Sequence, residues 1–156
     1  MTGMASYKNR AYRYTPEMET LSDFFCAFPL QEARSLLHQM MRAAFARQNT
    51  LAGKDVRGLL FLRDEILKLV TAAEMLARSN AHKTNLEKFF RCWPAEEWNE
   101  TLNAVFYAAV YDGFFTRPPV HGDIYHFCRG LHALIKACAD IHEGNNQPKP
   151  IRSLNR

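Results

Sequence analysis

A chain of 156 residues fits one domain and is long enough to bury roughly 70% of the surface its unfolded form exposes. With 47% hydrophobic and 23% charged residues it has the composition of a folded globular protein, and no apolar run approaches the ~20 residues a membrane helix needs. The net charge of +4 sits in the tails: residues 1–14 and 144–156 hold three basic residues each and no acid, leaving 14 basic against 16 acidic residues between Thr15 and Glu143, so overall basicity does not by itself indicate a nucleic-acid surface.

The opening segment lacks the apolar core of a signal peptide, which predicts a cytoplasmic protein. Cys26, Cys92, Cys128 and Cys138 are then expected to be reduced and mostly buried thiols. The first fourteen residues interleave Tyr7, Tyr12 and Tyr14 with Lys8, Arg10 and Arg13. Such an arm could neutralise phosphates and stack on bases, or simply pack its tyrosines on the domain that follows.

Thr15-Pro16-Glu17 is a helix start: an N-cap, a proline at the first helical position and an acid near the positive end of the dipole. Met18, Leu21, Phe25 and Phe28 then fall on one face, and Pro29 ends this helix and begins the next. From Leu30 to Arg47 the apolar stripe is Ala33, Leu36, Leu37, Met40, Ala44 and Phe45. Arg34, His38 and Arg42 form a separate row at steps of four, which is either a solvated face or a contact surface for an acidic partner.

The longest helical pattern runs from Asp55 to Asn80, with Asp55 as its cap. Leu59, Leu62, Ile66, Leu69, Val70, Ala73 and Leu76 recur at three- and four-residue steps. Leu60, Phe61, Leu67 and Met75 widen that stripe, which predicts a helix buried on most of its circumference and therefore a helical bundle around it. Asp64 with Lys68 and Glu74 with Arg78 are acid-before-base pairs at i, i+4. The preceding Gly53-Lys54 lacks the spaced glycine and hydroxyl of a phosphate loop.

Thr84 and Glu87 match a capping box for a short helix through Trp93. Pro94 resets the chain, and Glu96, Glu97 and Glu100 fill the opening turns of the next helix, which buries Trp98, Leu102, Val105, Phe106 and Ala109 before ending at Asp112-Gly113. Acids in those turns oppose a DNA-recognition role for it. Residues 111–123 crowd Tyr111, Asp112, Arg117, His121 and Asp123 around two glycines and Pro118-Pro119, a loop suited to a binding site or equally to hydrophobic closure by Phe114 and Phe115. The last helix is expected from Ile124 to Glu143, stopped by Gly144. It buries Ile124, Phe127, Cys128, Leu131, Leu134, Ile135, Cys138 and Ile141 and carries a second basic row, Arg129, His132 and Lys136.

No catalytic or metal constellation stands out. Cys128/His132 and Cys138/His142 have i, i+4 spacing, but ten residues of helix turn one pair about 80° from the other. Neither a C-x-x-C nor a pair of Glu-x-x-His motifs is present.

The sequence thus predicts a single all-α domain of five or six helices over residues 15–143, with basic tails at 1–14 and 144–156. The function it points to is protein–protein interaction by a small helical binding or regulatory module, with a protein partner or self-association, and with no membrane, metal, cofactor or catalysis. Contact residues would be Arg34, His38 and Arg42, the loop residues Tyr111, Arg117 and His121, and Arg129, His132 and Lys136. The alternative is a nucleic-acid-binding accessory protein that adds Lys8, Arg10, Tyr12 and Arg13 to the two rows. A second alternative is an enzyme with its site in loop 111–123. Geometry separates them: basic rows on one continuous face favour nucleic acid, intervening Asp64, Glu96 or Glu97 oppose it, and a pocket shared by Tyr111, Arg117, His121 and Asp123 would favour the enzyme.

Overall fold

Thr15 begins the first helix as its chemistry dictates: its hydroxyl accepts from the Met18 amide at 3.3 Å, and Pro16 occupies the first turn. The computed structural model describes residues 15–45, 53–91, 93–110 and 124–146. Among them it contains six helices and no strand: α1 Pro16–Ala27, α2 Leu30–Phe45, α3 Gly53–Ala77, α4 Lys83–Phe90, α5 Ala95–Val110 and α6 Ile124–Asn146. The all-α bundle read from the sequence is therefore what the chain forms.

Helix α3 organises the others. Its predicted stripe from Leu59 to Leu76 is buried throughout. Helices α1 and α5 both run antiparallel along its flanks. Phe28, at the end of α1, meets Phe61 with ring centroids 5.1 Å apart, whereas Pro16 and Thr20 lie by Ala72 and Met75. On the other flank the Arg63 guanidinium sits 4.6 Å over the Phe106 ring, and the Ala95 amide donates to Glu74 Oε2 at 2.6 Å. Helix α2 packs chiefly on α5, and α6 closes the bundle against α1, α2 and α4.

Several expectations need correction. Helix α3 is not buried on most of its circumference: Leu60, Phe61 and Met75 are exposed and Leu67 only partly covered. Helices α1 and α5 take its flanks, and the outer stripe, half a helical turn from Leu62 and Ile66, has no described helix over it. The helix also starts before Asp55, which falls in its first turn and is not its cap. Lys68 pairs with Glu65 at 3.0 Å, and Asp64 with Arg63 at 2.8 Å, in place of the expected Asp64–Lys68 pair; Glu74–Arg78 forms at 3.4 Å.

The capping box of α4 does not form. A turn closed by the His82 and Lys83 amides on the Ser79 carbonyl leads straight into the helix, so Lys83 is already helical and Thr84 comes too late to cap it. In α1 the fully buried ring is Phe24, and Phe25 instead stacks on His142 at 5.5 Å. In α2, Met41 is buried and Phe45 is 52% exposed. Gly144 does not stop α6, which continues to Asn146: its backbone keeps a negative φ, and glycine ends helices by adopting a positive one. Cys26 is exposed, contrary to the expectation of mostly buried thiols.

Glycine does matter at Gly130. A Cβ there would lie 2.8 Å from Cη2 of Trp98, so its absence lets α6 seat directly on the indole. Trp98 is otherwise held by Trp93 and Phe127 and by donation from Nε1 to the Phe89 carbonyl at 3.1 Å.

Candidate functional site

The two basic rows, read from helices far apart in the chain, meet. In α2, positions 41, 42 and 45 lie three, four and seven residues beyond 38, so one face presents His38, Met41, Arg42 and Phe45 together. Across from them α6 presents Cys128, Arg129 and His132. These seven residues line a groove of about 650 Å³. Its lining combines two arginines and two histidines with two large apolar side chains and a half-buried thiol. No carboxylate is among these lining residues, and Asp64, Glu96 and Glu97, which could have broken up the basic surface, sit on α3 and α5 instead.

His132 registers the local field. Burial lowers its pKa, and the neighbouring positive charge of Arg34 and His38 lowers it further. Burial of this kind disfavours an ion of either sign, so only the smaller contribution, from Arg34 and His38, reports a positive field at the groove.

Other predicted residues fare differently. Arg34 stands close enough to act on His132 but does not line the groove. Lys136 turns away and pairs with Asp140 at 2.5 Å. Tyr111, Arg117 and His121, with Asp123, lie outside the described residues, as do Lys8, Arg10, Tyr12, Arg13 and Cys92, so neither the loop site nor the arm is placed. Met41, Phe45 and Cys128 were not recognised as site residues, because two were read as core and Met41 was not singled out. The heptad step from His38 to Phe45 and the i, i+3 step from His38 to Met41 were the available signals.

Among the described residues no three His, Cys, Asp or Glu side chains are grouped closely enough to hold a metal. Burial pushes the Cys138 thiol up to about 12, so it stays protonated and a poor nucleophile.

A second surface lies on the outer side of α3. Pro16, Glu17 and Thr20 of α1, Leu67, Lys68, Thr71, Ala72 and Met75 of α3, and Asn99 of α5 line a shallow groove of about 460 Å³. Met75 is 51% exposed there, and Oδ1 of Asn99 is buried with no hydrogen-bond partner.

Among the described residues, the fold and the site together define a bundle of six helices with a cationic, apolar-floored surface groove. No protein-family model matches the chain, and neither a curated protein nor a solved structure matches it. None of the described helices is long and apolar enough to cross a membrane.

Proposed function

We propose that this protein is a small helical binding module that acts through protein–protein contact, and that the α2–α6 groove receives an acidic segment of a partner protein carrying apolar side chains. The observation that carries this reading is the pairing of Arg42, Arg129, His38 and His132 with Met41 and Phe45 in one groove. Arginine forks bind carboxylates in a bidentate manner, and an apolar floor accepts side chains spaced along one helix face. A cytoplasmic setting belongs to the same reading, in which Cys26, Cys128 and Cys138 stay reduced.

The apolar floor favours a protein segment over nucleic acid. A groove for single strands lays cations along a backbone path and offers several aromatic platforms. Here the cations cluster, and Phe45 is the single phenylalanine, tyrosine or tryptophan in the described lining.

The test is titration calorimetry with a helical peptide bearing leucines at i, i+3, i+4 and i+7 and glutamates between them. The same peptide with lysine for glutamate, a single-stranded oligonucleotide and a duplex serve as comparisons. The acidic peptide should bind, weaken with added salt, and lose at least roughly tenfold in affinity with Arg42→Glu or Arg129→Glu. Equal binding of the lysine peptide, or none of the acidic one at low salt, would overturn the proposal. Oligonucleotide binding that is tighter than the acidic peptide's and insensitive to Met41→Ser would put the nucleic-acid reading first.

A further inference from the structure

The α2–α6 groove holds two kinds of basic group. Arg42 and Arg129 carry a fixed charge and only donate hydrogen bonds. His38, on α2, and His132, on α6, line the same groove from facing helices. A neutral imidazole offers one N–H and one lone pair, whereas the carboxylates of an acidic segment only accept. The lone pair is therefore mismatched to such a segment until a second proton turns both ring nitrogens into donors. No carboxylate among the lining residues supplies a counter-charge for that proton.

We propose that the groove couples binding of its acidic partner segment to proton uptake at His38 and His132, so that the segment is held more tightly as pH falls through the range of imidazole titration. The inference rests on the reading of the groove as a site for an acidic protein segment. Binding and protonation then reinforce each other, because a bound carboxylate favours the imidazolium by as much as the imidazolium favours the carboxylate. Arg42 and Arg129 attract the segment at every pH, and the histidines add a part that depends on it.

The surroundings of His132 leave room for this effect. Burial, and then the charges of Arg34 and His38, lower its pKa, so at neutral pH the free protein keeps it mainly unprotonated. Arg42 across the groove, and Cys128 and Arg129 on its own helix, share the lining, while Lys136, one turn on, pairs with Asp140. Helices α1 and α4 also pack on α6; Phe25 stacks on His142, and Trp93, just past α4, stacks on Phe127. No charge among their described residues acts on His132. The charges that do act on it are positive, and a carboxylate reverses that field when the partner brings one.

The experiment is titration calorimetry of the full chain with the helical peptide of leucines and glutamates, in steps from about pH 8 to about pH 5.5, a range in which its glutamates stay ionised. Binding should tighten about three- to tenfold over that range, since each pKa unit an imidazole gains on binding is worth up to tenfold in affinity. At about pH 6.5 the apparent enthalpy should change with the ionisation enthalpy of the buffer in the sense of net proton uptake. His132→Gln should reduce that uptake, and His38→Gln with His132→Gln should abolish it, with far-ultraviolet circular dichroism at each pH confirming that the helices are kept. His82 also has a lowered pKa but lies in the turn before α4 and does not line the groove, so His82→Gln should leave the uptake unchanged. In the wild-type protein, proton NMR of the imidazole rings should show the His132 midpoint rise when the peptide is added, and an unmoved midpoint overturns the inference without any variant. Peptide binding with no proton uptake, uptake that survives in the double variant, or uptake lost equally with His82→Gln also overturns it and leaves the groove reading intact. No peptide binding at any pH overturns the groove reading, and this inference with it.

Discussion

Gly130→Ala sets two opposite effects against each other at one position. Replacing glycine with alanine inside a helix ordinarily stabilises by about 1 kcal/mol, because alanine loses less backbone freedom on folding. At Gly130 the new methyl would lie 2.8 Å from Cη2 and 3.5 Å from Cζ3 of Trp98. The indole cannot swing aside cheaply: it is 6% exposed, bonded to the Phe89 carbonyl, and packed on Trp93 and Phe127 at centroid distances of 5.4 and 5.6 Å. Overpacking of this kind costs roughly 1–3 kcal/mol. Gly58, in α3, has nothing within 4 Å of the corresponding position and isolates the backbone effect. Gly58→Ala should raise stability and Gly130→Ala should lower it, with the two variants separated by about 1–3 kcal/mol in urea unfolding followed by circular dichroism. Combining Gly130→Ala with Trp98→Phe should recover part of the loss, as non-additivity between contacting residues requires. Equal stability of the two alanine variants would refute the close approach of α6 to Trp98.

The bridge from α3 to the start of α5 gives a second expectation. Glu74 caps α5 from another helix through the Ala95 amide, so Glu74→Ala should cost about 1–2 kcal/mol and Glu74→Gln less, with the urea midpoint as the readout. Arg78→Ala, which removes only an exposed partner of the same carboxylate, should fall within about 0.5 kcal/mol of wild type. The third expectation concerns pH. His132 and His82 both have pKa values lowered by burial, so the unfolded chain binds protons more readily than the folded one. Stability should therefore fall as pH drops through about 6.5, the unfolded value, towards the lower folded values. His132→Gln should flatten part of that dependence and leave the share due to His82. Parallel pH profiles for variant and wild type would remove His132 from the account.

Local chemistry was the most legible part of the sequence. Thr15-Pro16 marked a helix start because capping is decided within four residues, and the buried set of α5 followed from spacing alone. Spacing was blind where two neighbours are chemically alike. Phe24 and Phe25 both fit the stripe of α1, and only the packing of Phe24 between Phe25 and Phe28 decides which ring is enclosed. It was also blind to how many neighbours a helix acquires, so the outer stripe of α3 was read as buried. Thr84 was a suitable residue to cap the start of α4 and Gly144 to stop α6, but the backbone on either side determined where α4 began and α6 stopped. Each basic row was visible by itself. Their meeting was not, since it depends on the contact between α2 and α6, and no periodicity within one helix encodes a contact with another.

The corner at Trp98 also bears on how unfolding is observed. The chain has two tryptophans, and Trp93 and Trp98 stand side by side where the end of α4, the start of α5 and the first half of α6 converge. Tryptophan fluorescence, excited selectively over the six tyrosines, therefore reports on that junction, and the α2–α6 groove contributes nothing to it directly. Should the junction loosen before the rest of the bundle melts, the emission change would precede the loss of helical signal. Coincident curves would instead mean that the aromatic corner and the α1–α3–α5 layer come apart as one cooperative unit.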